Sequence, residues 1–407
     1  MPRVRPVTRA LNKIEALYDR AKYRVRRPLR PDQIMIAAYL GHGTAQALHL
    51  RGRVLRDKGI TSAMAEDSAW KNMVNMYKRY QSRELPGAVV RARFGEHVQE
   101  TVADEEGFFA IAFHLPMLPY QEDGRYTIDL ELVDYPGRDR YAELPLDVRA
   151  TGAVIVPRPG AEFGVISDID DTVLQTDVLN LLAMARNAFL KNAHTRLPFD
   201  GVAAFYDALR RGGSGLVENP IYYVSSSAWN IYDVIKDFFI VREIPVGPIF
   251  LADWGLTPKQ LLTPNHLAHK LGHIQNLLNT HADLPFILIG DSGQKDPEIY
   301  VQAVKDNPGR ILAVYIRDVT GRSRDASLHA LIAEAAAHGV ELVVAQDTYE
   351  AAVHAAERGY ISRERLPEIR AERDEDRTLP TPLEHVLKPG SAASAHIDAD
   401  QALDRRE

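Results

Sequence analysis

The chain has 407 residues, of which 45% are hydrophobic and 26% charged, with a formal net charge of −6 and no cysteine. That length exceeds a typical single domain and the balance is that of soluble globular chains, which argues against general disorder and against a membrane-embedded body. Without thiols there are no disulfides, cysteine nucleophiles or thiolate metal sites, so a bound metal must sit on oxygen or histidine.

The N-terminal stretch, 1–32, is a basic arm. Arg3, Arg5, Arg9, Lys13, Arg20, Lys22, Arg24, Arg26, Arg27 and Arg30 face only Glu15 and Asp19. It lacks the continuous apolar core of a secretory signal, and no later segment offers about 18 uninterrupted apolar residues for a membrane span, so a cytoplasmic protein without an integral membrane segment is expected. The arm is a candidate for peripheral contact with an anionic membrane surface; the alternative is a solvated basic helix packed on the acidic body of the same protein. The net negative charge argues against a dedicated nucleic-acid binder.

Residues 33–157 read as strands. "ALHLRGRVL", "AVVRARF" and "GFFAIAF" are β-rich, and "YTIDLELV" alternates Tyr126, Ile128, Leu130 and Leu132 with mostly polar residues. Turn signals at Pro86-Gly87, Glu106-Gly107, Asp123-Gly124 and Pro136-Gly137 separate them, as an antiparallel sandwich requires. Trp70, Met73, Val74 and Tyr77 recur at helical spacing and predict one interrupting helix. The segment from Gly87 to Phe113 resembles the strand-turn-strand unit of transthyretin-like sandwiches.

From 158 to 355 the texture changes. The short apolar strands "FGVIS", "IYYVS", "PIFL", "FILIG", "ILAVYI" and "VELVVA" alternate with segments such as "GVAAFYDALRR", "NIYDVIKDFFIV", "HKLGHIQNLLNTH" and "PEIYVQAVKDN" that read as helices. The expectation is an α/β fold with a doubly wound parallel sheet, which collects ligands at the carboxyl ends of its strands. Residues 356–407, charged, proline-containing and poor in aromatics, are expected to be a disordered tail.

The first strand of that sheet runs into "SDIDDT", which crowds Asp168, Asp170 and Asp171 into four positions. Like charges so close raise one another's pKa and need a positive partner. A second acidic pair, Asp291 and Asp296, follows the strand "FILIG". Oxygen ligands arriving from two strand ends suit Mg²⁺, completed by water and a substrate phosphate. Ser225, Ser226 and Ser227 lie between a strand and a helix, where hydroxyls and a helix N-terminus can make an anion site, and Lys270 can oppose the carboxylates. Carboxylates, a metal, a phosphate cradle and a lysine together are what phosphoryl transfer through an aspartyl-phosphate requires. Asp171 reads as a cap or the partner of a lysine, Ser226 and Ser227 as caps or phosphate ligands, and Asp296 as a metal ligand or the cap of a helix beginning at Pro297. His266, His269 and His273 have a spacing that could hold a metal and read more simply as a solvated helix face.

"DIDDT", "YYVSSSAWN", "HK" before a helix and "ILIGDSGQKD" resemble, in order, the four motifs of haloacid dehalogenase-like phosphatases. With "TRLPFDGVAAFYDALR", "ADWG" and "HKLGHIQNLL" between them, the stretch from about 160 to 320 is similar to the phosphatidate phosphatase catalytic-domain family typified by the actin-patch-associated enzyme and related to lipins. The resemblance implies a Mg²⁺-dependent phosphatidate phosphatase that yields diacylglycerol. It implies that Asp168 attacks phosphorus, that Asp170 protonates the leaving alkoxide and then activates water, and that Thr172 fixes the loop. Ser225, and with it Ser226, would bind the phosphoryl oxygens, and Lys270 would stabilise the phospho-aspartate. Asp168, Asp291, the carbonyl of Asp170 and Asp296 would hold the metal. Fewer than about fifty residues separate Thr172 from the next motif, which leaves a minimal cap and an open site suited to a phospholipid presented at a membrane surface. The alternatives are the same mechanism on a non-lipid phosphoester and a non-catalytic phosphatidate-binding module; retention of both Asp168 and Asp170 favours catalysis. The oligomeric state is not legible in the residues.

Overall fold

The computed structural model describes residues 29–56, 84–169, 200–252, 266–319 and 326–378. Most of the basic arm, the helix expected around Trp70, the expected minimal cap, and Asp170, Asp171 and Thr172 lie outside the described residues.

The N-terminal strands are β1 (Ile34–Ala38), β2 (Gly41–Thr44), β3 (Ala47–Arg56), β4 (Val89–Phe94), β5 (His97–Val102), β6 (Phe108–His114), β7 (Arg125–Asp134) and β8 (Arg149–Ile155). They form one hydrogen-bonded path, β1-β3-β2-β8-β7-β4-β5, with β6 on the other side of β3. All pairs are antiparallel except β2 with β8. The expected sandwich is therefore a single mixed sheet that folds over itself: Phe94 of β4 packs 6.2 Å from Phe113 of β6, ring centre to ring centre. The period-two reading of β7 holds, since Tyr126, Ile128, Leu130 and Leu132 are all buried while the residues between them are not. Gly152 of β8 lets the layers close, because a β-carbon there would lie 2.4 Å from the Leu50 side chain of β3.

The second sheet comprises β9 (Gly164–Asp168), β10 (Ile221–Ala228), β11 (Ile249–Ala252), β12 (Phe286–Asp291), β13 (Ile311–Arg317) and β14 (Glu341–Ala345). It is parallel throughout, in the order β11-β10-β9-β12-β13-β14. Its helices are α1 (Val202–Arg211), α2 (Tyr232–Val241), α3 (His266–Thr280), α4 (Asp296–Asp306), α5 (Ala326–Ala337), α6 (Thr348–Glu357) and α7 (Leu366–Thr378). Both faces of the sheet are apolar, which is why its strands read as unbroken hydrophobic runs. Val165, Tyr223, Ile287 and Tyr315 pack with α1, α2 and α6 in one cluster, and Ile166, Tyr222, Leu288 and Val314 with α3 and α4 in another.

The expected tail departs from its reading over 363–378, where a 3-10 turn leads into α7. Only Ile369 and Asp376 of α7 are buried, so its sequence carries little apolar signal; charge holds it instead. The start of α1, with Gly201 as its N-cap, has no capping side chain of its own. Glu372 of α7 accepts from Ala203 N at 3.1 Å and Ala204 N at 2.7 Å, and Asp376 accepts from Gly201 N at 2.9 Å. Distant carboxylates thus satisfy the orphan amides of a helix start, where a negative charge is favoured. Arg373 and Arg377 both reach Asp347, and Arg242 reaches Asp376.

Candidate active site

The parallel sheet has β9 at its centre, with β10 on one side and β12 on the other. Val224 of β10 pairs with Asp168, and Ile289 of β12 pairs with Ser167. The carboxyl ends of three adjacent strands therefore bring Ser225, Asp168 and Asp291 to one edge. Asp168 and Asp291 are completely buried. Ser167, which the sequence reading passed over, holds this strand end from behind: its hydroxyl lies 2.7 Å from both the Asp168 carbonyl oxygen and the Tyr206 hydroxyl. A serine inside an otherwise apolar buried strand was the available signal.

Asp296 is the first residue of α4, with Lys295 as the N-cap, and it is fully buried. The cap of that helix is therefore not Asp296. Its Oδ2 accepts from Asp291 N at 3.2 Å and its Oδ1 meets Lys270 Nζ. Gly290 makes this possible, since a β-carbon there would lie 2.4 Å from Asp296 Oδ2. The glycine before Asp291 is thus a space requirement of the second carboxylate.

Lys270, on α3, is buried and pairs with Asp168 Oδ1 at 2.6 Å as well as with Asp296. Burial by itself would lower its pKa, but the two carboxylates outweigh burial and hold the ammonium above its ordinary value. Oxygens of Asp168, Asp291 and Asp296 lie within 4.8 Å of one another. Three carboxylates against one ammonium leave an excess of negative charge. Asp291 shows where the excess falls: burial, then the charge of Asp296, push its pKa up to about 7. Its Oδ1 accepts from Gly293 N at 2.5 Å and Gln294 N at 3.0 Å, while its buried Oδ2 has no hydrogen-bond partner among the described residues. An all-oxygen donor set with an unspent carboxylate oxygen and surplus negative charge fits a hard divalent cation.

Ser225 is buried, and its Oγ accepts from Ser227 N at 2.9 Å; Ser226 is half-buried. The expected junction of the serines with a helix start is not direct. A 3-10 turn, Trp229–Ile231, intervenes, and α2 begins at Tyr232 with no side-chain cap, so Ser226 and Ser227 are not its caps. His269 and His273 are half-buried, with Nε2 atoms 3.2 Å apart and His273 beside Phe250, so that part of α3 is not the solvated face expected. The structure thus brings together Asp168, Lys270, Asp291 and Asp296, with Ser225 at the neighbouring strand end. Asp170 and Thr172 lie outside the described residues.

Known proteins align with this part of the chain. Residues 163–318 match the family described as phosphatidate phosphatase APP1, catalytic domain. The phosphatidate phosphatase APP1 of Saccharomyces cerevisiae is 32% identical over 168 residues, 41% of this chain and 28% of that protein. A Schizosaccharomyces pombe protein named only as uncharacterized is 24% identical over 215 residues, 53% of this chain and 33% of that one. The aligned region is therefore a third or less of either relative's length. Among solved structures, a carbohydrate acetylesterase from Xanthomonas citri is similar over 83% of this chain and 72% of that one, at 9% identity and a TM-score of 0.26, too distant to inform fold or function. Residues 163–318, and with them the carboxylate cluster, are the part of the chain that matches the phosphatidate phosphatase APP1 catalytic-domain family.

Proposed function

We propose that the chain is a Mg²⁺-dependent phosphatidate phosphatase built on a haloacid dehalogenase-like sheet, which hydrolyses phosphatidate to diacylglycerol and phosphate. The observation that carries this reading is the convergence of Asp168, Asp291 and Asp296, two of them paired with Lys270, at the carboxyl end of a parallel sheet, inside the stretch that matches the family. Asp168, Asp291 and Asp296 are the residues that would hold magnesium, which when bound neutralises charge on the phosphoryl oxygens.

The chain's own groups supply the rest. A carboxylate oxygen of Asp168 attacks phosphorus, the bond from phosphorus to the glycerol oxygen breaks, and the departing alkoxide takes a proton from Asp170, a role given to Asp170 by its motif. Asp170 then deprotonates a water that attacks the aspartyl-phosphate, releasing phosphate and regenerating Asp168. Lys270, kept protonated by its two carboxylate partners, offsets the negative charge beside Asp168 through both halves. Ser225 and Ser226 bind the phosphoryl oxygens, and Thr172 fixes the loop beside them. The lipid would be met at a membrane surface by a peripheral, cytoplasmic protein; no described helix is long and apolar enough to cross a membrane.

The test is phosphate release from phosphatidate in mixed micelles beside release from a soluble aryl phosphate, for the intact protein and Asp168→Asn, with and without chelator. The expected result is lipid turnover that falls by about 10⁴-fold or more in Asp168→Asn and stops with chelator. Release only from the aryl ester keeps the mechanism and discards the lipid; binding of phosphatidate vesicles without release from either substrate makes the domain a binding module.

A further inference from the structure

The serines at the end of β10 stand partly outside their sheet. β10 pairs with β9 as far as Val224, and with β11 as far as Val224 and again at Ala228, so Ser225–Ser227 bulge from the ladder between those points. A bulge of this kind re-aims the side chains it carries, so what packs on its downstream end bears on where they lie. Its downstream neighbours are Trp229, in the 3-10 turn, and Tyr232, at the start of α2, both buried.

Both rings are held by the N-terminal sheet. The ring of Tyr39, between β1 and β2, lies 4.5 Å from those of Trp229 and Tyr232. The Arg51 guanidinium of β3 covers the Trp229 ring at 4.9 Å and the Phe108 ring at 4.6 Å. The hydroxyl of Tyr232 accepts from Leu40 N at 2.9 Å, a donor in the connection between β1 and β2. Trp229 Nε1 is buried with no hydrogen-bond partner among the described residues, so stacking and the covering guanidinium, rather than a polar bond of its own, fix the indole.

We propose that the N-terminal sheet is a positioning element of the active site: the stack of Arg51, Tyr39, Trp229 and Tyr232 fixes the downstream end of the Ser225–Ser227 bulge, and so sets where it meets the phosphoryl group of a phosphate ester. This rests on the phosphatase reading for what the bulge binds. The coupling of the two sheets does not depend on that reading. Tyr39, Trp229 and Tyr232 act through the serines and are positioning residues.

The experiment uses the full chain and three variants: Tyr39→Ala, which deletes the ring; Tyr39→Phe, which keeps it; and Tyr232→Phe, which removes only the hydroxyl that accepts from Leu40. Amide hydrogen exchange is read peptide by peptide, and KM and kcat are measured on a soluble aryl phosphate. Tyr39→Ala is expected to speed exchange across 225–231 while 165–168 and 287–291 stay protected, and to raise KM about tenfold with a smaller change in kcat. Tyr39→Phe restores both, and Tyr232→Phe shows the local exchange effect more weakly. Should Tyr39→Ala not fold, Tyr232→Phe carries the exchange test alone. Unchanged exchange at 225–231, or a rise spread evenly over all strands, overturns the proposal. If the intact protein hydrolyses no phosphoester, the phosphatase reading fails, and the exchange data still decide whether the sheet positions the bulge.

Discussion

Two groups of buried polar side chains in this protein meet the loss of water in opposite ways. At the carboxyl end of the parallel sheet, Asp168, Asp296 and Lys270 answer burial with opposite charge, with Asp291 beside them. Where the two sheets meet, His42 of β2 packs against His49, Phe250 and His281, and no ammonium or carboxylate contacts it among the described residues. Burial, then the neighbouring histidines His49, His281 and His273, lower His42 to about 3; burial, then His49 and Arg310, lower His281 to about 4. Asp168, Asp296 and Lys270 keep their charges because each has an opposite partner, whereas Asp291 is pushed up to about 7 and the histidines stay neutral for want of one. Desolvation acts on both; the neighbours decide the ionisation state.

The largest effect should come from removing the partner in the charged group. Lys270→Met leaves two buried carboxylates without their cation and is expected to cost about 3–5 kcal/mol in denaturant unfolding at neutral pH. The sign of the remaining pH dependence sharpens the comparison. With the lysine gone, the folded-state pKa of the carboxylates rises, so mild acid should recover part of the lost stability. In the intact protein the buried histidines contribute the reverse slope, set against Asp291, whose pKa of about 7 works in the acid-favouring direction. An unfolded histidine takes a proton near 6.5, whereas folded His42 and His281 do not until about 3 and about 4. Their stability is fully present above pH 6.5 and declines on acidification, by about 1.4 kcal/mol per pH unit for each histidine between 6.5 and 5. His42→Gln should remove about half of that slope, read from unfolding curves at a series of pH values; an unaltered slope would show that His42 is not one of its sources.

The smallest effect concerns a contact between charged helices. Glu372→Ala withdraws the carboxylate that accepts from Ala203 N and Ala204 N and should cost about 1 kcal/mol, with the loss of amide protection confined to the first turn of α1.

Much of the α/β half was legible in the sequence because burial on both faces writes itself as unbroken apolar runs, as in "FILIG" and "ILAVYI". The acids placed after those runs fell together as their strand ends required. Other features left weaker marks. The helix α7 is written in charges whose partners, Asp200, Arg242 and Asp347, are distant in sequence, so its composition reads as solvated chain. The roles of Gly290 and Ser167 are steric and second-hand, visible only once Asp296 and Tyr206 are in place. Closure of the N-terminal sheet depends on cross-layer contacts such as Leu50 with Gly152, which strand periodicity cannot report.

The capping of α1 by α7 also has a consequence in time. Glu372 is joined to the ribosome's growing chain 169 residues after Ala203, the residue whose amide it receives. At roughly 5–20 residues per second, that interval lasts about 10 to 30 s. Throughout it the first turn of α1 has emerged, or is emerging, without its acceptors, and for most of it the sheet it covers is incomplete. The parallel-sheet unit therefore matures late in its own synthesis, and the chain's last described helix is the part that finishes it.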